Sequence, residues 1–170
     1  MSLSSTGLDL CALSRQELAR LFSDGQVVIP ESIVGYRYRG VSLGLPEWVE
    51  RLSWKKFAKT FYRHSSGKIR GVNLRMEQDG LDRDWTAKRR RGSEWSFGPY
   101  ELTQEDGSEH IEIHYGKGSQ GLSPLRRLRD PLRRLDDDGD LLLGASLVDL
   151  GFGKRLATPS WFLLERDRPL

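Results

Sequence analysis

Short strand and turn signals recur along most of this chain. Residues 36–39 read Tyr, Arg, Tyr and Arg, and this period of two is typical of a strand with two different faces. Residues 57–63 and 69–77 flank a loop with a glycine, which indicates a hairpin. Further strand signals cover residues 86–91, 94–103, 110–115, 141–150 and 160–166. About eight or nine short strands, separated by turns rather than helices, indicate a sandwich or a barrel and exclude a parallel α/β sheet.

Two helical patterns stand apart from these strand signals. Ser14 and Glu17 have the spacing of a capping box, which predicts a short helix near the N-terminus. Pro46 is suited to the first position of a helix, and Trp48 and Leu52 follow it at helical spacing. We therefore expect a second helix directly after the first strand, lying across the end of the sheet.

A chain of 170 residues suits a single domain with a sizeable core. The small and polar residues at its start predict a flexible arm over residues 1–13, and residues 14–170 then form one barrel domain. Hydrophobic residues make up 37% of the chain, and its aromatic side chains supply enough apolar area to exclude a disordered chain.

Cysteine usage and the N-terminal sequence bear on location. Cys11 is the one cysteine, so an internal disulfide is excluded and a reducing compartment is indicated. Residues 1–7 lack the basic and apolar regions of a secretory signal, and no apolar run approaches the roughly 18 residues that span a bilayer. We expect a cytoplasmic protein with no membrane partner.

The first strand carries a glycine-bounded stretch from Gly35 to Gly40, with Tyr38 inside it. It resembles the first strand of lipocalin-like barrels, including the intracellular proteins whose domain is named for a G-x-W-x-G motif, and Tyr38 stands where those proteins have Trp. In these families a short helix closes the barrel, and a basic residue near the last strand packs over the Trp; Arg166 could fill that place. The resemblance implies a mainly β fold, a single antiparallel lipocalin-like β-barrel that holds a small hydrophobic or aromatic ligand in its lumen.

Either the tyrosines or the arginines of the first strand must face the lumen. Inward Tyr36 and Tyr38 would line a cavity and donate hydrogen bonds, whereas inward Arg37 and Arg39 would bind a carboxylate or a phosphate. We favour the tyrosines, because an unpaired guanidinium is costly to bury. The expected ligand contacts, several of which would serve equally as ordinary core or rim aromatics, are Tyr36, Tyr38, Trp54, Phe57, Phe61, Trp95, Tyr115 and Trp161.

Gly35 and Gly40 bracket the first strand, although glycine normally weakens a strand interior. Two glycines here predict a bend at a barrel corner or close approach of the N-terminal helix. We expect Tyr38 to be buried, Gly40 to contact Trp161 or Phe162, and the first and last strands to pair and close the barrel.

The segment 110–115 contains the candidate catalytic residues. His110, Glu112 and His114 share one face of a strand, so they could bind a divalent metal or act as general acid and base. The ordinary interpretation is that Ile111 and Ile113 pack inward and the polar face is solvated, and we favour it. An isomerase, cyclase or hydratase with acid–base residues in the lumen remains the alternative to a binding protein, and we expect no metal site.

The run from Lys88 to Arg91 lies between Trp85 and Trp95, a pattern found in proteins that bind single-stranded nucleic acid. Acidic neighbours and a net charge of only +3 argue against nucleic acid as a partner, and we favour protection of a strand edge as the role of the cluster. The sequence has no phosphate-binding loop and no G-x-S-x-G motif, and we expect no cofactor. A homodimer is left open.

Overall fold

The computed structural model describes residues 2–44, 55–104, 110–118, 124–152 and 154–170. The helices in these ranges are α1 (Ser5–Cys11), α2 (Arg15–Asp24), α3 (Pro30–Ile33) and α4 (Tyr115–Gly118), with a 3₁₀ turn at Pro124–Arg127. The strands are β1 (Gln26–Val27), β2 (Tyr36–Leu43), β3 (Lys56–Arg63), β4 (Ile69–Arg75), β5 (Arg89–Arg90), β6 (Ser93–Glu94), β7 (Ser96–Gln104), β8 (Ile111–His114), β9 (Leu128–Arg134), β10 (Leu141–Gly151) and β11 (Lys154–Pro169).

Eight of the strands form a closed antiparallel barrel. Their order is β2, β3, β4, β7, β8, β9, β10 and β11, and β11 pairs again with β2. The short β1 adds to the side of β9, and β5 pairs with β6 in a separate hairpin. The predicted fold class, a mainly β antiparallel barrel, is confirmed. Closure matters because it leaves no open sheet edge and encloses a lumen.

Local sequence signals explain the helices near the N-terminus. The Ser14 hydroxyl accepts a bond from the Glu17 amide, and the Glu17 carboxylate accepts one from the Ser14 amide, so the predicted capping box is confirmed. Pro30 begins the single turn of α3, whose Ile33 is fully buried at one end of the lumen. The helix predicted for residues 45–52 lies outside the described residues.

Helix α1 stands where a flexible arm was expected over residues 1–13. Ser4 caps it by accepting a hydrogen bond from the amide of Gly7. The Ser4 amide and hydroxyl donate in turn to the carboxylate of Glu165 on β11, the hydroxyl at 2.8 Å. Leu3 is buried beside this contact. Short polar sequences give weak local signals, and here a partner in the last strand anchors the segment.

The barrel packs on both of its faces. One apolar cluster lies in the lumen and is called the lumen core. A second lies between the outer face of the barrel and the helices and loop that cover it, and is called the outer core. The lumen core consists of Val28, Ile33, Tyr38, Phe57, Phe61, Tyr100, Ile111, Ile113, Tyr115, Leu132, Leu142, Phe162 and Leu164. The outer core consists of Leu3, Leu18, Val41, Leu43, Ala58, Leu74, Met76, Trp85, Leu143 and Leu163.

Strand β2 follows the predicted alternation. Tyr38 is buried in the lumen core, as predicted. Arg37 and Arg39 take the opposite face and are also buried, because acidic residues of β11 meet them: Arg37 pairs with Asp167 at 3.1 Å and Arg39 pairs with Glu165. Charged side chains are tolerated at such depth when they are paired and hydrogen-bonded.

The pairing of β2 with β11 confirms the predicted contact between the first and last strands. The neighbours predicted for Gly40 are wrong. The register of β2 and β11 places Leu164 opposite Gly40 and Phe162 opposite Ser42. The ring of Phe57 on β3 covers Gly40. The guanidinium of Arg166 lies 4.3 Å from the ring centre of Tyr36, and its Nε donates to the Tyr38 hydroxyl at 3.3 Å.

Gly40→Val should destabilise the barrel. A Cβ atom at this position would lie 2.3 Å from Cε2 of Phe57, so the ring must shift. Overpacking of this kind lowers the free energy of unfolding by about 1–3 kcal/mol. Chemical denaturation should detect the loss, while Thr103→Val on β7 should change the value by less than about 0.5 kcal/mol. Equal stability of the Gly40→Val variant and the parent protein would contradict the close packing of Phe57 on Gly40.

Candidate functional site

The lumen is filled at one end and hollow at the other. At the end covered by α3, side chains that are 0–1% exposed occupy the space: Tyr38, Phe61, Tyr100, Leu142 and Leu164. At the opposite end lies a cavity of about 200 Å³. Its lining combines aromatic and aliphatic side chains with a small polar set: Ser42, Phe57, Lys59, Asn73, Phe97, Tyr115, Leu125, Leu128, Asp130, Ser146, Ser160 and Phe162.

Lys59 is a buried cation in this cavity. On β3 it lies between Phe57 and Phe61, so strand alternation points it into the lumen. Its ammonium donates to Oδ1 of Asn73 at 2.8 Å and to the Tyr115 hydroxyl at 2.6 Å. Aromatic ring centres lie 5.0–5.5 Å from it, in positions that favour a cation: Phe57, Tyr100, Tyr115 and Phe162.

Asp130 on β9 supplies the opposite charge. Its side chain is 3% exposed and lines the same cavity. The hydroxyls of Tyr115 and Ser146 lie beside the carboxylate and favour its charged form. Since the Tyr115 hydroxyl accepts from Lys59, its own proton is left for the neighbouring Asp130. Among the described residues, no donor bonds to Oδ1 of Asp130.

Burial shifts the pKa values of both charged groups toward neutral pH. It raises the pKa of Asp130 to about 6, against the opposing effect of Lys59. It lowers the pKa of Lys59 to about 8, again with Asp130 opposing the shift. Titratable groups whose pKa values are shifted toward neutral by burial in one cavity are concentrated at functional sites.

The predicted ligand contacts fall into three groups. Phe57 and Tyr115 line the cavity, whereas Tyr38 and Phe61 belong to the filled end of the lumen. Tyr36 packs at that filled end beneath Arg166.

Two of the other predicted contacts, Trp95 and Trp161, do not line the cavity. Trp161 faces outward, because its neighbour on β11 takes the inward position, and it packs against Phe22 of α2 at 5.5 Å. Trp95 does not line the cavity, and the guanidinium of Arg75 lies 4.0 Å from its ring centre. Trp54 lies outside the described residues.

The candidate catalytic residues lie outside the lumen. Ile111 and Ile113 face inward, which turns His110, Glu112 and His114 to the outer surface. Glu112 accepts from Arg155 at 2.9 Å. The structure therefore does not bring these three residues into the lumen. The isoleucines point inward, as the favoured interpretation predicted, but Glu112 is buried and ion-paired rather than solvated.

His114 lies in a charged groove on the outside of the barrel. The groove also includes Glu112, Lys117, Arg129 and Asp149. Partial burial, Arg129 and Lys117 lower the pKa of His114 to about 4. Its Nδ1 accepts a bond from the amide of Lys117 at 3.0 Å. The imidazole is therefore neutral at pH 7, and its Nδ1 already accepts a hydrogen bond.

Two tryptophans flank the basic run on the β5–β6 hairpin, Trp85 before it and Trp95 after it. Trp85 is buried in the outer core, and its indole donates to the carbonyl of Phe57 at 2.9 Å. Lys88 pairs with Glu77 at 3.5 Å. A base cannot stack on a buried ring, which excludes Trp85 as a stacking partner. Trp95 is half-buried, and the guanidinium of Arg75 lies 4.0 Å from its ring centre.

The sequence patterns did not identify Lys59, Asn73 and Asp130 as residues of the site. One signal could have identified two of them. Lys59 follows Phe57 and precedes Phe61 at alternate positions, and Asp130 lies in the same way between Leu128 and Leu132. A single charge in an otherwise apolar strand face indicates a buried, paired group.

Comparison with models of known protein families and with curated proteins finds no match for this chain. Within the described ranges, no cluster of three or more His, Cys, Asp or Glu residues could hold a metal ion. No described helix is long and apolar enough to cross a membrane. The chemistry of the site must be inferred from its own residues.

Asp130→Asn should change how stability depends on pH. The pKa of Asp130 in the fold, about 6, lies above the ordinary value of 3.8, so folding favours the protonated acid. Its contribution to stability is complete below about pH 4 and is lost as the pH rises through about 6. Relative to the Asn variant, the parent protein should therefore lose up to about 3 kcal/mol between pH 4 and pH 7.

Urea denaturation at intervals of pH would measure this difference. Asp9→Asn, a change at an exposed residue of α1, is the control and should alter the free energy of unfolding by less than about 0.5 kcal/mol at each pH. A constant difference between the Asp130→Asn variant and the parent protein across the range would show that Asp130 does not titrate inside the lumen.

Proposed function

We propose that this protein binds a small, mainly aromatic or hydrophobic molecule in the hollow end of its lumen. The supporting observation is the cavity of about 200 Å³, lined by apolar rings and a few converging polar groups. Such a lining is typical of small-molecule sites. Eight-stranded barrels can be packed shut by side chains, but here packing fills one end and leaves the other open to a ligand.

Cavity size limits what could bind. An engineered apolar cavity of about 150 Å³ accommodates benzene, so this cavity suits a compact molecule of about ten non-hydrogen atoms. A long acyl chain would have to displace Tyr38, Phe61 and Tyr100 from the filled end. The rings of Phe57 and Phe162 and the ammonium of Lys59 favour a flat π-system over a flexible chain.

We also propose that this protein is related to the lipocalin-like barrels. Three features support it: eight strands in a closed barrel, a helical turn at Pro30–Ile33 before the first barrel strand, and Arg166 stacked on Tyr36. Tyr38 takes the place of the family's Trp, which weakens the match. A cytoplasmic location belongs to the same proposal and rests on Cys11 being the one cysteine of the chain.

Ser160→Phe should abolish ligand binding by filling the cavity. Ser160 lines the cavity, and a phenyl ring at this position would occupy the ligand's space. Ala157→Phe, three residues earlier on the same strand and exposed, is the matched control and should leave binding unchanged. Native mass spectrometry and calorimetric titration with a panel of single-ring and fused-ring aromatics would measure both variants against the parent protein.

Two outcomes would contradict the binding hypothesis. One is that the parent protein binds no member of the panel, nor a set of compact alicyclic molecules of the same size. The other is that Ser160→Phe, shown to be folded by its thermal melt, binds as well as the parent protein. The ligand is assigned to the lumen if the parent protein and the Ala157→Phe control both bind it and the Ser160→Phe variant does not.

A second candidate function is proton transfer on a carbonyl compound, as in an isomerase, cyclase or hydratase. The observation that favours it is the arrangement of Lys59, Tyr115 and Asp130 in one cavity. Asp130 would take a proton from the carbon next to the carbonyl, while the Lys59 ammonium would use the proton that Asn73 and Tyr115 leave free to stabilise the enolate oxygen. Returning that proton to another atom would complete an isomerisation.

If this second function holds, the protein should exchange the acidic carbon-bound protons of a compact aromatic ketone such as 1-indanone with solvent. Proton NMR in D₂O would follow the loss of those signals. Asp130→Asn removes the base and should reduce the rate to that of buffer, and Asp9→Asn should leave it unchanged. Binding of 1-indanone with no exchange above the buffer rate would favour the binding function over the enzyme.

A further inference from the structure

The carboxylate of Asp130 has more accepting capacity than its surroundings use. A carboxylate can accept about four hydrogen bonds. The hydroxyls of Ser146 and Tyr115 lie beside it, and within the described part of the chain nothing donates to Oδ1. A buried acceptor without a donor is costly, and native proteins rarely retain one without a reason. Since Asp130 lines the cavity, a molecule in the cavity can supply the missing donor.

The charges around the cavity point to an uncharged donor. Lys59 already balances Asp130, so the buried pair carries no net charge for a ligand to neutralise. Two of the three protons of the Lys59 ammonium go to Asn73 and Tyr115. A ligand carboxylate would be repelled by Asp130 and would add a second buried anion to a cavity with one cation.

We propose that the ligand is a neutral, compact aromatic molecule that donates an N–H or O–H hydrogen bond to the Asp130 carboxylate. Indoles, anilines and phenols belong to this class, whereas hydrocarbons and aromatic acids do not. This inference rests on the proposed binding function and adds the polar group by which the ligand is recognised. Asp130 is then the residue that determines specificity, and the aromatic rings of the cavity hold the apolar body.

Indole and benzofuran provide the test, because they have the same fused-ring shape and differ in having a ring N–H or a ring oxygen. Calorimetric titration of the parent protein should give indole an affinity about 10-fold or more above that of benzofuran, since a hydrogen bond to a charged acceptor contributes that much. Indole-3-carboxylate, which carries an anionic group, should bind more weakly than indole.

Asp130→Leu removes both carboxylate oxygens and keeps a side chain of similar length. In this variant the preference for indole should fall below about 2-fold while benzofuran still binds. Asp9→Leu on the exposed face of α1 is the matched control and should keep the full preference. If the Asp130→Leu variant does not fold, an NMR measurement of ¹⁵N-labelled indole bound to the parent protein takes its place. The N–H proton resonance of the bound indole should lie downfield of the N–H resonance of indole in a hydrocarbon solvent.

The outcomes separate this inference from the binding function. Equal affinity for indole and benzofuran, or an indole N–H resonance that does not move downfield, would overturn the role of Asp130 and leave lumen binding intact. Tighter binding of indole-3-carboxylate than of indole would overturn the neutral class in favour of an anion. Binding of none of the three, by a protein that also fails with the broader aromatic panel, would remove both proposals together.

Discussion

An ammonium group buried among aromatic rings sets the conditions for the cavity end of this barrel. Removing a lysine charge from water costs several kcal/mol, and the cost must be offset by partners that are themselves held in place. Lys59 finds these partners on three other segments, in Asn73 of β4, Tyr115 at the start of α4, and Asp130 of β9. Because β3 and β9 are well separated around the barrel, the network ties opposite walls together. The hollow end of the lumen thus keeps its shape although no side chains fill it.

A similar constraint acts on the outside of β2. Arg37 and Arg39 point away from the lumen, yet the N-terminal segment and the loop that carries Trp85 cover them. Their guanidinium groups meet Glu165 and Asp167 on the neighbouring strand. The strand that begins the barrel is therefore held on both faces, by aromatic packing inside and by ion pairs outside. Such ion pairs specify the register between β2 and β11 more than they add stability. A shift of the pairing by one residue would leave each buried charge without its partner.

Sequence patterns predicted much of the fold because local periodicity carries most of that information. The alternation at Tyr38 indicated which face points inward, and the capping box at Ser14 located α2. The site was largely missed for a physical reason. Lys59 and Asp130 lie far apart in the sequence, and neither has a local signal for its partner. The neighbour of Gly40 was misplaced for a related reason, since local alternation does not specify the register between the first and last strands.

The contact between Ser4 and Glu165 has a consequence for how the chain is made. Ser4 and Glu165 are 161 residues apart along the chain, so they cannot meet during synthesis until β11 has left the ribosome. Throughout translation, Leu3 and the other apolar residues near the N-terminus are without the surface of β11 that covers them. The nascent chain must therefore keep this segment out of other contacts, and a product that stops short of β11 exposes it permanently.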